Sequence, residues 1–206
     1  MILQIGSGDI NHLLMGKNTK GYQNLYRKFV SISQPKYNAL ASPIDAARTG
    51  AILEEVYLTT LEDDYYPQVV VQSSEMNVLK SSIDFARIEG NKIVDFDELK
   101  TLWFTEFVEV IQPMKDLTPG ELKAKLKKSF KSHYNQIQQQ LYNTELEECN
   151  LVFLSVMSYK DDENYDRIIK PNEVIKFRVK RDQEVIDKIK ARAAIFQQIK
   201  DDIESE

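Results

Sequence analysis

The chain is poor in the features that mark specialised protein classes. It holds one cysteine, Cys149, in 206 residues. A single thiol cannot build an intramolecular disulfide framework, nor a four-cysteine zinc or iron–sulfur site. No apolar run approaches the roughly 20 residues that a membrane-crossing helix needs. The opening stretch MILQIGSGDIN lacks a basic leader followed by a long apolar segment. A cytoplasmic, reducing setting without membrane contact is the expectation. Internal repeats and low-complexity linkers are missing too. Net charge is −5, from 27 basic and 32 acidic residues. That counts against a surface that binds nucleic acid everywhere, but local patches matter more than the sum.

What is present fits a globular domain: 42% hydrophobic and 29% charged residues, in a length that suits one core. Residues 1–66 read as helical. SGDINHLLMG offers Ser7 and Asp9 ahead of Ile10, Leu13 and Leu14, and KGYQNLYRKF spaces Tyr22, Leu25, Tyr26 and Phe29 helically. SQPKYNALASP reads as loop with partial helix. Ser42 and Pro43 then open a strong helix through Ala47, Ile52, Val56 and Leu61. Residues 67–180 read as a sheet core with a long helix. QVVVQSS, the stretch Val78 to Ile88, KIVDF, LWFTEFVEVIQP, CNLVFLSVMSY and EVIKFRVKRD are the strand candidates. Thr118 and Pro119 begin the long helix. Residues 181–206 read as an amphipathic C-terminal helix. The fold class expected is α/β (α+β), a central mixed sheet flanked by helices.

Two carboxylates fall in apolar strand candidates: Asp84 in SSIDF, and Glu109 in FVEVIQP. A buried carboxylate is costly unless paired, hydrogen-bonded or on a metal. Two on neighbouring strands would make an oxygen-rich site for Mg²⁺ or Mn²⁺. Taken singly, each is more simply a solvent-facing edge residue. The Lys-rich stretch KAKLKKSFKSH, which includes Lys127, Lys128 and Lys131, is either a solvated helix face or a phosphate-binding patch. Tyr65 and Tyr66 could stack on a base, although aromatic packing is the simpler role.

Read in order, these segments resemble the PD-(D/E)xK nuclease superfamily, with its restriction-endonuclease-like core. Within it they resemble the YqaJ-type viral recombinases typified by phage lambda exonuclease. SGDI resembles that family's opening helix start. RTGAILEEV carries its glycine followed four residues later by glutamate, as Gly50 and Glu54. SSID stands for its Ser-Pro-Asp, and VEVIQP for its Glu-apolar-Lys-X-Pro strand. YNQIQQQLYNT stands for its glutamine-signature helix. The resemblance spans Ser7 to about Tyr159. It implies a metal-dependent 5′-to-3′ exonuclease on double-stranded DNA ends, using Mg²⁺ or Mn²⁺. It also implies a homotrimeric assembly, a single-strand annealing protein as partner, and work in a phage-infected or prophage-carrying bacterium. By position, it implies Asp84, Glu109 and the main-chain carbonyl of Val110 as metal ligands. Glu54 would support them, Gln136 would orient water, and Ser82 would sit near the terminal phosphate.

Two departures accompany it. Ile111 takes the place of the family's lysine, so another cation (Lys115, Lys80 or Arg87) would have to fill the space. No basic residue precedes Ser7 to bind a 5′-phosphate, which leaves Arg48 or Arg27 as surrogates. Two further readings follow. One is a catalytically impaired relative that binds DNA or protein as a regulator. The other is an unrelated interaction protein.

Overall fold

A computed structural model of the chain describes residues 3–31, 40 and 44–205. The SQPKYNALASP loop, apart from Leu40, lies outside the described residues, as do the expected helix-opening positions Ser42 and Pro43. A short strand, β1 (Ile5–Gly6), leads through one tight turn into α1 (Ile10–Leu14). Helix α2 (Lys20–Phe29) starts where the Thr19 side chain accepts the Tyr22 amide, the ordinary chemistry of an N-cap. Helix α3 (Asp45–Leu58) buries Ile52, Leu53, Val56 and Tyr57.

Strands β2 (Tyr65–Gln72), β3 (Leu79–Glu89) and β4 (Lys92–Trp103) form an antiparallel meander. The β3–β4 turn needs a left-handed residue, supplied by Gly90 at φ +61°. After β4 come α4 (Phe104–Glu106), one wide helical turn over Phe107–Ile111 and one tight turn over Gln112–Asp116. Helix α5 (Pro119–Ser129) opens with a capping box between Thr118 and Glu121. It gives way at Phe130 to α6 (Lys131–Thr144), so the expected long helix is two. Strand β5 (Glu148–Val156), the short α7 (Asp161–Tyr165), β6 (Val174–Lys180) and α8 (Gln183–Glu204) complete the chain.

The stretch FVEVIQP is therefore helical, which corrects the strand expected there. Phe107, Ile111 and Met114 are the buried residues, at spacings of four and three. That is the period of a helix stripe and not of a strand. Glu109 is exposed, Val110 is half-buried, and Ile111 belongs to the main hydrophobic core.

The six strands make one mixed sheet in the order β1-β3-β4-β5-β6, with β2 also on β3. Strand β5 is buried on both sides, as its apolar run implied. Leu151 and Phe153 join the larger core with α1, α2, α6 and α8, whereas Val152, Leu154 and Val156 join the smaller one under α3. The important irregularity lies between β3 and β4. Their ladder stops at Phe85↔Asp97. Beyond it β3 continues to Leu79 and Lys80, where the same edge pairs with β1. Strand β4 continues to Trp103 paired only with β5. Residues 81–84 thus face a gap in the sheet, where the two strands splay apart.

Candidate active site

Helix α6 fills that gap with amide side chains. Gln139 donates to the carbonyls of Ile5 and Lys80, at 3.3 and 3.0 Å, and Asn143 donates to Ser81 Oγ at 2.9 Å. Gln140 Nε2 reaches both sides of the splay, the Ser82 carbonyl at 3.0 Å and Glu98 Oε2 at 2.6 Å. Strand edges left without a neighbour must find other hydrogen-bond partners when buried. The run of glutamines in QIQQQ meets that need. Gln138 works elsewhere, donating to the Lys180 carbonyl and accepting the Asp182 amide at the start of α8.

Four charged side chains meet in the splay. Asp84, on β3, uses Oδ2 to accept the Leu99 amide at 2.9 Å, just past the last ladder pair. Glu98, on β4, is 0% exposed. Its Oε1 accepts from Lys100 Nζ and from Gln136 Nε2, both at 2.6 Å. Lys100 lies two residues further along the same strand. Glu54 reaches in from α3, where its Oε2 accepts from Gln68 Nε2 at 3.1 Å. Gln68 Oε1 in turn accepts from Ser82 Oγ at 3.0 Å. Gln68 lies between the ladder pairs Pro67↔Phe85 and Val69↔Ile83 and has φ +52°. A non-glycine residue held in that region costs energy and tends to mark a functional position.

The charges do not balance locally, since three carboxylates share one lysine. Burial, then the neighbouring charge of Glu98, pushes the Asp84 carboxyl well above its usual range. Burial likewise raises Glu54, against the pull of Lys100. Burial pulls Lys100 down, but Glu98, Asp84 and Glu54 outweigh it and the net shift is upward, so the ammonium stays charged. On α6, His133 is lowered to about 4 by burial and then by Lys100, and is neutral at physiological pH.

This donor set fits a hard divalent cation. The splay gathers three carboxyl groups around one ammonium away from bulk water, and Asp84 Oδ1 takes no hydrogen bond among the described residues. Gln140 Oε1 is buried without a partner. Oxygen-only donors of this kind suit Mg²⁺ or Mn²⁺. Among the described residues no three His, Cys, Asp or Glu side chains form a ready-made ligand group. Two carboxylates with main-chain or amide oxygen are what the splay offers. A cavity of about 570 Å³ beside α5, lined by Leu117, Tyr134 and Arg181 among others, shares none of these residues.

Of the residues singled out in the sequence, Asp84, Glu54 and Gln136 come together here, and Ser82 joins them through Gln68. Glu109, Val110 and Ile111 do not. The charges acting most strongly on Asp84 are those of Glu98, Lys100 and Glu54. A Glu-apolar-Lys sequence of the kind sought at Glu109 occurs at Glu98-Leu99-Lys100, beside Asp84. Lys127 is engaged with Asp182 at 3.2 Å, while Lys128 and Lys131 are exposed. Arg48 pairs with Asp161 and Asp45, both at 2.9 Å, which occupies a candidate phosphate ligand. Tyr65 is half-buried, with its hydroxyl pushed up to about 12 by burial and the charges of Asp97 and Asp95.

No protein-family model matches the chain, and no curated protein matches it significantly. Solved structures do. An alkaline exonuclease from Laribacter hongkongensis aligns over 99% of this chain and 91% of its own, at 15% identity and TM-score 0.61. Its complex with dAMP gives 17% identity over the same shares, with TM-score 0.61. A phage-related exonuclease from Haemophilus somnus 129PT aligns over 100% of this chain and 96% of its own, at 17% identity and TM-score 0.60. The chain has the fold of these exonucleases, a mixed sheet flanked by helices. Among the described residues no helix is long and apolar enough to cross a membrane.

Proposed function

We propose that the chain is a divalent-metal-dependent exonuclease that hydrolyses phosphodiesters from the ends of double-stranded DNA in the 5′-to-3′ direction. The observation that carries this reading is the convergence of Asp84, Glu98 and Lys100 in the β3–β4 splay, within a fold shared with exonucleases. Asp84, Glu98 and the Leu99 carbonyl are the groups proposed to hold Mg²⁺ or Mn²⁺. When bound, the metal supplies an activated water and charge stabilisation for the leaving oxygen.

The chain's own groups do the rest. Lys100 places a fixed positive charge where negative charge grows on the phosphoryl oxygens, and its pairing with Glu98 keeps it protonated. Gln136 and Gln140 fix both oxygens of Glu98, so that the carboxylate does not rotate between roles. Glu54 adds negative charge behind Lys100 and is aimed through Gln68. Ser82, exposed at the lip of the splay, is positioned for the terminal phosphate. Lys128 and Lys131 supply backbone contacts along the entrance to α6.

The impaired-relative reading rested on isoleucine replacing lysine. The position of Ile111 in the core of a helical turn, with Lys100 beside Glu98, supports the active reading over the impaired one. A homotrimeric ring and a strand-annealing partner remain part of the proposal. The test is incubation of purified protein with 5′-phosphorylated linear duplex and Mg²⁺ or Mn²⁺. Mononucleotide release, abolished in Asp84→Ala, is the expected result. Duplex binding with no release under either metal would overturn the reading.

A further inference from the structure

Strands β4 and β5 run parallel, and both end at one place, with Trp103 opposite Val156. An aromatic surface stands there. The Trp103 and Tyr159 rings are stacked, with centroids 4.9 Å apart and planes 27° from parallel. Trp103 is 39% exposed and Tyr159 44%, and beside them Phe104 is 44% and Met157 50% exposed. None of the four belongs to either hydrophobic core. Burying them is favourable, yet the fold leaves them in water as a flat, pre-stacked pair.

The location gives the patch meaning. Trp103 follows Lys100 by three residues on the same strand, about 10 Å at the rise of a β-strand. The odd spacing puts its ring on the α3 face while Lys100 points to the α6 face, so a strand with a phosphate at Lys100 would reach the ring by turning over the end of β4. Thr101, between them, faces Gly50 of α3, where an added Cβ would come 3.6 Å from its hydroxyl oxygen. Helix α3 therefore packs close there. Nearby α7 is acidic, but Asp161 is paired with Arg48 and Glu163 with Lys160. A nucleobase brings no charge to that surface. Its flat π-face matches an exposed aromatic ring, and stacking of this kind accepts any base.

Building on the nuclease reading, we propose that Trp103, backed by Tyr159, is a stacking platform for an unpaired nucleobase of a DNA strand passing the active site. Tyr159 holds the indole flat, and Phe104 and Met157 extend the apolar floor. Such a platform would take any base of the passing strand.

Trp103 is the sole tryptophan of the chain, so its fluorescence reports the platform directly. The full chain, in EDTA to prevent cleavage, is titrated with an oligothymidylate and with an abasic oligonucleotide of the same length. Saturable quenching by the first and little by the second is expected. Tyr159→Leu should weaken the thymidylate binding roughly 5- to 100-fold, the range of one base–aromatic stack. Trp103→Leu, followed with a dye-labelled strand, should do the same and raise KM for duplex cleavage more than it lowers kcat. Equal quenching by both strands, or none in a protein that still cleaves duplex, overturns the platform. A concentration-dependent emission shift without DNA also overturns it, by making the patch a protein contact. Base-dependent quenching in a protein that cleaves nothing upholds the platform and sinks the nuclease reading.

Discussion

Lys100 Nζ lies 2.6 Å from Glu98 Oε1, and the same oxygen takes the Gln136 amide at 2.6 Å. Two residues of one strand thus carry opposite charges held on one side of the splay. Lys100→Met should lower kcat by on the order of 10²–10³, the loss typical of one electrostatic contributor to a transition state. It should also destabilise the metal-free protein, because a fully buried Glu98 loses its cation. Lys100→Met combined with Glu98→Gln should recover much of the lost melting temperature and none of the activity. Ile111→Lys should only destabilise, with no gain in rate, because it puts an ammonium into the core.

Glu98 and Glu109 make a paired comparison. Glu98→Gln is expected to abolish mononucleotide release and to remove the rise in melting temperature produced by Mg²⁺ or Mn²⁺. Glu109→Gln should change neither, since its side chain faces solvent on a helical turn. Release rates and metal-dependent thermal shifts on the two variants decide between the two strand assignments. Loss of activity in the second alone would reject the splay as the site.

The raised Asp84 carboxyl fixes a pH dependence. Its folded pKa stands above the unfolded value, so its contribution to stability is fully present below about pH 4. That contribution is lost as pH rises through the shifted pKa. Glu54 acts in the same direction. The metal-free protein should therefore lose melting temperature as pH climbs above about 4. Mg²⁺ should stabilise more at higher pH, by binding the ionised form. Asp84→Asn should flatten both trends in a series of melts with EDTA and with Mg²⁺.

Asp182 does the opposite. Burial would raise it, but hydrogen bonds from Lys123, Tyr134 and Lys127 win and hold it at about 2. Its stabilising effect is present above the usual carboxylate value and lost as pH falls through 2. The shift corresponds to about 2 kcal/mol. Asp182→Asn should lower stability at neutral pH by roughly that amount and weaken acid sensitivity below pH 4, as read from urea midpoints across pH.

Much of the architecture was legible because local rules agreed with the fold. Thr118 and Glu121 cap α5, Gly90 turns the β3–β4 hairpin, and the apolar run of β5 is buried on both sides. The candidate site was half legible. Asp84, Glu54 and Gln136 stood out, but Glu98 and Lys100 did not. In DFDELKTLW the charged residues interrupt the apolar pattern that reveals a strand, although Phe96 to Leu99 are all buried. Asp97 is tolerated there because Tyr57, Asn150 and Lys176 bond it, and Glu98 because Lys100 and two glutamines do. Those partners are distant in sequence, so no local pattern announces them. The segment FVEVI misled for the converse reason. Its β-branched residues favour a strand, and only the spacing of Phe107, Ile111 and Met114 records the helix.

Helix α6 stands in the sheet's gap as a substitute for a missing strand, which makes the geometry of the site a product of long-range assembly. A chain with its strands paired and α6 undocked would leave the carbonyls of Lys80 and Ser82 unpaired, and Glu98 without its amide clamps. Such a species would have an open sheet edge and no competent centre. Helix docking and assembly of the candidate site are then one cooperative event. A partly folded copy would lack that arrangement and risk pairing its open edge with another chain.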